Sequence, residues 1–363
     1  MCNDKSNVNI NKLNLTQFNN IDNEKIVNKN KAIQSRAKKD AKNKECFNCG
    51  SKNLKLCYSH SIPQFVLRNI SVNGNLYNFN KILQTPSLKQ EDGLKRTGTF
   101  LLICKECDNS LFSKYENPDS YNDQLNEMIL SQIALKNYLK LISKRKIEIE
   151  IYNHQYKSNL IDVNIYEKFN SVSNKDLNEY IFNYKGINNI LKKENTSVWR
   201  TIFYYKLNYR VPIAFQGAIT LTVDLDGSII NNTFKKSEAY KLQDVHICVF
   251  PLKSNTVILF YANKKYTRYR RFIKQFSNKE DNIKIKIINY ILFLYTEDVY
   301  ISKNIKLDLK NHKLLEVCGE TSIFNSNISI TEQECKRLLI DTYNLFDLDK
   351  IPNLLSKEYS IST

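Results

Sequence analysis

Residues 46–49 read C-F-N-C, residues 58–63 read Y-S-H-S-I-P, and residues 102–109 read L-I-C-K-E-C-D-N. Two C-x-x-C pairs, Cys46/Cys49 and Cys104/Cys107, therefore enclose a single histidine, His60. Four thiolates at this spacing suit a tetrahedral Zn²⁺, which stabilises a short segment that has little core of its own. The cysteine pairs predict a structural zinc site, and free thiols are the alternative interpretation.

Composition indicates a folded protein outside the membrane. The chain has 363 residues, of which 42% are hydrophobic, enough for a substantial core and for more than one domain. The residues after Met1 do not include the apolar stretch that is typical of a secretory signal. The longest apolar run, residues 287–295, is far shorter than a membrane span of about 20 residues. We therefore expect a soluble, cytoplasmic protein. In that compartment its nine cysteines are better interpreted as metal ligands and buried thiols than as disulfides.

Positive charge exceeds negative charge along the chain. The 54 Lys and Arg residues outnumber the 37 Asp and Glu residues, which gives a formal net charge of +17. Residues 1–45 hold ten basic and five acidic residues, so most of the excess lies in the rest of the chain. This balance favours a polyanionic partner, most commonly nucleic acid, although lysine-rich surfaces also serve solubility alone.

The chain divides into three segments by composition. Residues 1–44 are rich in Asn and Lys and poor in aromatic residues, which predicts a disordered basic tail. Residues 45–118 form the cysteine module, in which the polar residues 81–98 resemble a loop that could lie on DNA. Residues 119–363 are expected to form a larger mixed domain whose role the sequence does not indicate. The predicted fold class is α+β.

Within the third segment, periodicity predicts a succession of elements. An amphipathic helix is expected over residues 121–145, followed by a region richer in strands over residues 146–263. Its clearest hairpin is expected over residues 218–230, with a turn at Asp226-Gly227, and residues 246–251 and 256–261 are expected to be buried strands. Two further helices are expected, roughly over residues 264–277 and 281–296.

Taken in order, the three motifs resemble the HNH endonuclease family in its variant with a zinc-stapled treble clef and a ββα-metal unit. The resemblance covers the cysteine module only. It implies that His60 lies at the position of the general base that activates water for attack on a phosphodiester. It also implies that Asp108, or its neighbour Asn109, lies at the helix position that holds Mg²⁺ or Mn²⁺. Glu116, eight residues beyond Asp108 on the same face of the predicted helix, is a candidate second carboxylate.

Two positions depart from the family pattern. Ser59 precedes the histidine where the family usually has an acid or a histidine, and Asp108 replaces the usual His or Asn of the helix. Two hypotheses therefore stand side by side. The first is a metal-dependent endonuclease that hydrolyses DNA, of a family often found in phage-defence settings. The second is a non-catalytic zinc module that binds nucleic acid, or recruits a protein partner through the C-terminal domain.

A second basic feature follows the last predicted strand. Residues 264–274 read K-K-Y-T-R-Y-R-R-F-I-K, with six basic residues and no acidic one. On a helix, Lys264, Lys265, Arg268 and Arg271 would be available to nucleic-acid phosphates, with tyrosines available to stack on bases. The alternative is an ordinary amphipathic helix with core aromatics and solvated charges.

Overall fold

The computed structural model describes residues 20–79, 91–121, 126–192, 197–235, 237, 239–309, 313–314, 317 and 331–362. Within these ranges the protein is α+β, as the sequence predicts. One large antiparallel sheet has helices on both faces, and a cysteine cluster lies near the N-terminus.

Helices and strands are numbered separately in chain order. The α-helices are α1 (Asn20–Asp40), α2 (Gln64–Ile70), α3 (Lys105–Phe112), α4 (Glu127–Lys157), α5 (Val163–Leu191), α6 (Arg270–Ser277), α7 (Asp281–Tyr295) and α8 (Glu332–Tyr343). The strands are β1 (Ser59–His60), β2 (Asn75–Asn78), β3 (Glu91–Gly93), β4 (Thr99–Phe100), β5 (Trp199–Leu207), β6 (Ile213–Ile219), β7 (Val245–Pro251), β8 (Thr256–Asn263) and β9 (Tyr300–Ile301). Among the described residues, no helix combines the length and apolar character needed to cross a bilayer.

The large sheet has the strand order β3-β2-β9-β6-β7-β8-β5, and all neighbouring strands are antiparallel. Strands β7 and β8 are buried on both faces. Ile247 and Phe260 pack into one core, whereas Cys248 and Leu259 pack into the other. Because alternate residues of a strand face opposite sides, a doubly covered strand requires a continuous apolar sequence. This explains why both strands were predictable.

Helices cover the two faces of the sheet unequally. Phe272 and Phe276 of α6 pack into the first core together with α7, and α4 packs into the second core together with the cysteine module. Helices α4 and α5 form an antiparallel pair. Tyr156 stacks on Tyr166 with ring centroids 4.5 Å apart, near the short connection between these helices.

The cysteine module contains a two-stranded antiparallel sheet, called the hairpin below although α2, β2 and β3 lie between its strands, and a helix follows it. Strands β1 and β4 form a separate two-stranded sheet, with Ser59 opposite Phe100 and His60 opposite Thr99. Cys104 caps the N-terminus of α3, since its Sγ accepts a hydrogen bond from the backbone N–H of Cys107 at 3.5 Å. The order hairpin, cysteine pair, helix is the order that the resemblance implies.

The structure differs from the predicted disordered tail over residues 20–40, which form α1. Ile33 and Ala37 of this helix are buried, and His154 of α4 lies 2.8 Å from the Asp40 carboxylate. The apolar side of α1 is narrow, and most of the helix consists of polar residues such as Asn and Lys. The composition of this segment therefore did not predict the helix. Residues 1–19 of the predicted tail lie outside the described residues.

The structure also differs from the predicted boundary between residues 118 and 119. Strand β2 of the cysteine module pairs with β9, with Tyr77 opposite Ile301. The ring of Tyr121 packs edge-on against Phe250 of β7, with centroids 5.4 Å apart. The boundary therefore falls inside one continuous core, because pairing between distant segments joins the module to the rest of the sheet.

The expectation that residues 146–263 are richer in strands is wrong for the first part of this region. Helix α4 continues to Lys157, and α5 occupies residues 163–191. Asp162 caps α5, because its side chain accepts a hydrogen bond from the backbone N–H of Ile165 at 3.0 Å. Aromatic and β-branched residues favour strands by propensity, but here they form the contact surface between two helices.

Candidate zinc centre and hairpin face

The four predicted zinc ligands converge. The Sγ atoms of Cys46, Cys49, Cys104 and Cys107 all lie within 4.8 Å of one another, and those of Cys49 and Cys104 are 4.0 Å apart. In a regular tetrahedron, Zn–S bonds of about 2.3 Å place the sulfurs roughly 3.8 Å apart. The donor set therefore fits Zn²⁺. Three of the cysteines are buried and Cys49 is exposed, and four protein ligands leave no open position for catalysis.

Hydrogen bonds to sulfur support this cluster. The backbone N–H of Cys104 donates to Cys46 Sγ at 3.3 Å, and Asn48 Nδ2 donates to Cys107 Sγ at 3.2 Å. Asn48 is held in turn by α5, since its Oδ1 accepts a hydrogen bond from the Tyr184 hydroxyl at 2.7 Å. Such outer contacts orient the ligands of a metal site. The cluster is thus connected to the rest of the fold through α5.

The cysteine thiols differ in acidity. Burial raises the pKa of Cys46, but hydrogen bonds from the backbone N–H groups of Cys49, Cys104 and Asn48 outweigh burial and lower this pKa to about 7. Burial raises the pKa of Cys104. A bound Zn²⁺ would hold all four sulfurs as thiolates, and the chain would release protons on binding it.

His60 lies on β1 with one ring nitrogen fixed. Its Nε2 is 3.0 Å from the backbone carbonyl of Leu94, and a carbonyl can only accept, so Nε2 donates. In the neutral ring the other nitrogen, Nδ1, is then an acceptor. The ring is half-buried.

Asp108 and Glu116 come together around a lysine that the sequence analysis did not identify. Lys136 of α4 is fully buried, and its Nζ lies 2.8 Å from Asp108 Oδ1 and 3.0 Å from Glu116 Oε1. It also donates to Ser59 Oγ at 2.9 Å and lies 3.7 Å from the centroid of the Phe112 ring. Ser59 donates to Asp108 at 2.6 Å. An ammonium group thus occupies the space between the two carboxylates.

These residues do not fit a catalytic Mg²⁺ or Mn²⁺. Asp108 and Glu116, the predicted metal-binding carboxylates, are instead paired with the buried ammonium group of Lys136. Among the described His, Cys, Asp and Glu residues, the four cysteines are the one group of three or more with donor atoms at metal-binding separations. Side chains alternate along a strand, so Ser59 faces Asp108 while the His60 ring contacts Leu94 instead. Asn109 is exposed on α3.

Exposed basic and aromatic residues lie next to His60 and its partner Leu94 in the sequence. The residues 93–98 form a tight turn, since the backbone N–H of Thr97 and its hydroxyl both donate to the carbonyl of Gly93. Lys95 and Arg96 project from this turn and are exposed, without an ion pair to any described residue. Tyr58, two residues before His60, is 56% exposed. We call Tyr58, His60, Lys95 and Arg96 the hairpin face.

The basic residues predicted from residues 264–274 are dispersed among different partners. The segment forms a short 3-10 turn and then α6, with Tyr269 and Phe276 fully buried. Arg271 Nε lies 3.1 Å from Asp224 and its Nη2 lies 2.9 Å from Asp226. Arg268 Nη1 donates to Asn231 at 2.6 Å, Lys264 contacts Ser197, and Lys265 is exposed. The two ion pairs of Arg271 with acidic residues of the same chain favour the amphipathic-helix interpretation for this residue.

Comparisons with known proteins assign no family. The chain matches no protein-family model, no curated protein and no solved structure. The resemblance to HNH endonucleases therefore rests on the sequence motifs alone.

Proposed function

We propose that this protein binds nucleic acid through the hairpin face. One observation carries the proposal: His60 contacts the carbonyl of Leu94, the exposed Lys95 and Arg96 follow directly, and the exposed Tyr58 lies two residues before His60. Basic side chains bind phosphates, and an exposed aromatic ring offers a surface on which a base can stack. The net charge of +17 favours the same class of partner, and DNA is the first to test.

In this proposal the zinc centre has a structural role. Zn²⁺ held by the four thiolates would supply a cross-link between the segment before β1 and the start of α3. Leu56 forms an isolated antiparallel β-bridge with Cys104, and the backbone N–H of Cys57 donates a hydrogen bond to the carbonyl of Ile103 at 2.9 Å. The hairpin that carries His60 is therefore attached to the cysteine pairs at both of its ends.

Fluorescence anisotropy with a labelled DNA duplex tests this proposal over a range of salt concentrations. Each phosphate contact contributes about 0.9 to the slope of log K against log salt on B-DNA. The double variant Lys95→Gln/Arg96→Gln should therefore bind at least tenfold more weakly, with a slope reduced by roughly two. Arg270→Gln/Lys274→Gln is the matched control, because it removes two exposed charges from α6. Equal losses in both double variants would contradict the proposal.

A second candidate is hydrolysis of the bound phosphodiester, with His60 as the general base. The hydrogen bond from Nε2 to the Leu94 carbonyl favours this candidate, because it fixes the tautomer whose Nδ1 can accept a proton from water. The buried Lys136 between Asp108 and Glu116 favours binding without cleavage, since it leaves no carboxylate pair for a metal ion.

A plasmid-nicking assay with and without Mg²⁺ separates the two candidates. Hydrolysis by His60 predicts nicking by the wild type and its loss in His60→Ala, while the affinity for DNA stays within about twofold. Binding alone predicts no nicking by either protein. Nicking at equal rates by both proteins would exclude His60 from the reaction.

A further inference from the structure

A cavity of about 690 Å³ lies between α5 and the residues around β7 and β8. Aromatic side chains form much of its wall, together with four amide side chains. The aromatic residues are Tyr138, Phe182, Trp199, His246 and Tyr266. Cavities of this size, with apolar walls and a few polar groups, are typical of small-molecule sites.

One buried carboxylate oxygen lining this cavity has no hydrogen-bond partner. Glu179 is 9% exposed, and its Oε1 makes no hydrogen bond to any described residue. The nearest cation, Lys241 Nζ, is 3.7 Å away, and the other oxygen accepts only a long bond from the backbone N–H of Leu242 at 3.4 Å. Buried polar atoms are normally paired, so this oxygen indicates a ligand that donates hydrogen bonds.

The mouth of the cavity is basic. Lys265 and Arg268 line it, whereas Lys241, which also lines the cavity, lies beside the single acidic residue, Glu179. Lys265 is exposed, and Arg268 is held in place over the ring of Tyr240 at 4.3 Å. A ligand that fits these groups has an anionic end at the mouth and a donor-bearing end near Glu179.

Space for the ligand continues along α5. Gly186 lies within this helix, lines the cavity, and a Cβ added there would meet no atom within 4 Å. Glycine disfavours a helix interior relative to alanine, so helix stability does not explain it. Gly186 is exposed and lines the cavity, so a larger side chain here has open space and displaces no neighbouring atom.

We propose that this cavity binds a guanine nucleotide. Guanine presents adjacent N1–H and N2–H₂ donors, a pair that a carboxylate accepts, and adenine presents no such pair. The base lies between the aromatic walls with this edge at Glu179, where stacking stabilises it. The phosphates lie at Lys265 and Arg268.

Thermal-shift and calorimetric titrations of the full chain with GTP, GMP, ATP and inorganic tripolyphosphate test the proposal. GTP should bind more tightly than GMP, and ATP should bind at least tenfold more weakly than GTP. Glu179→Gln should raise the Kd for GTP by roughly ten- to a hundredfold, because a hydrogen bond to a charged group is lost. Gly186→Leu should abolish binding, while Lys185→Leu, an exposed neighbour outside the cavity, should bind as the wild type does.

Several outcomes would overturn this inference. Absence of any shift with GTP at millimolar concentration excludes the ligand class. Equal shifts with tripolyphosphate show a phosphate site without base recognition, and equal affinities for ATP and GTP contradict the role of Glu179. Should Gly186→Leu fail to fold, unchanged GTP affinity of Glu179→Gln would still refute the proposal.

Discussion

The substitution Lys136→Met should destabilise the fold strongly, because it removes the buried charge that holds Asp108 and Glu116. Methionine keeps the apolar contact with the ring of Phe112, so the loss is chiefly electrostatic. The Asp108 side chain is 17% exposed and would remain as an uncompensated, mostly buried charge. Breaking a buried ion pair in this way costs about 3–5 kcal/mol.

The two carboxylates contribute unequally to this loss. Glu116 is 36% exposed, so water screens it and its share falls toward the ~0–1 kcal/mol of a surface pair. Most of the effect should therefore depend on Asp108. In the background Asp108→Asn/Glu116→Gln, where no charge is stranded, Lys136→Met should cost at least ~2 kcal/mol less.

Urea unfolding followed by circular dichroism measures these differences in free energy of unfolding for the four proteins of the cycle. The midpoint should fall for Lys136→Met and recover in the triple variant. A loss below about 1 kcal/mol for Lys136→Met, or equal losses in both backgrounds, would refute the reasoning, because Lys136 would then not be compensating buried charge.

Three further predictions concern other parts of the fold. Burial lowers the pKa of His246 to about 3, below its unfolded value of ~6.5. The stability that the neutral ring allows is therefore fully present above pH ~6.5, and the free energy of unfolding falls by about 1.4 kcal/mol per pH unit as the pH decreases toward 3. Unfolding measured against pH should lose this slope in His246→Asn. The variant Asn48→Ala removes the link from Cys107 to α5 and should release zinc roughly tenfold faster to a colorimetric chelator, whereas unchanged release would contradict the link. Asp298 lies 3.2 Å from the buried Lys140, so Asp298→Asn should cost about 3–5 kcal/mol in urea unfolding, and a loss near zero would show that water already compensates the lysine.

Local patterns made part of the fold predictable. The zinc ligands follow from two short spacings, and strands β7 and β8 follow from continuous apolar runs that need cover on both faces. Helix α7 was predicted over residues 281–296 and occupies Asp281–Tyr295. In these cases the physical cause lies within one stretch of sequence.

Other features depend on residues that are distant in the chain. Pairing of β2 with β9 brings together segments more than two hundred positions apart, and no local pattern announces it. Lys136 lies on the apolar side of α4, among Ile133, Leu135 and Leu139. A lysine on the apolar side of a helix indicates that a buried acidic partner is present. Which residues are its partners could be seen only in the folded structure.

The candidate site, like the fold, was predictable only where the cause lies within one stretch of sequence. Spacing identified the four cysteines, and the resemblance singled out His60, which lies on β1. Spacing could not show that Ser59, rather than His60, faces Asp108, because the direction of alternating side chains depends on the register of β1 against β4.

The central claim is that four thiolates hold one zinc ion and thereby stabilise the hairpin. Native mass spectrometry of the purified chain, beside a Cys104→Ser/Cys107→Ser variant, measures it directly. The account predicts a mass increase of one zinc ion per wild-type chain and none in the variant. A wild-type chain that is folded and free of metal after expression with ample zinc would contradict it.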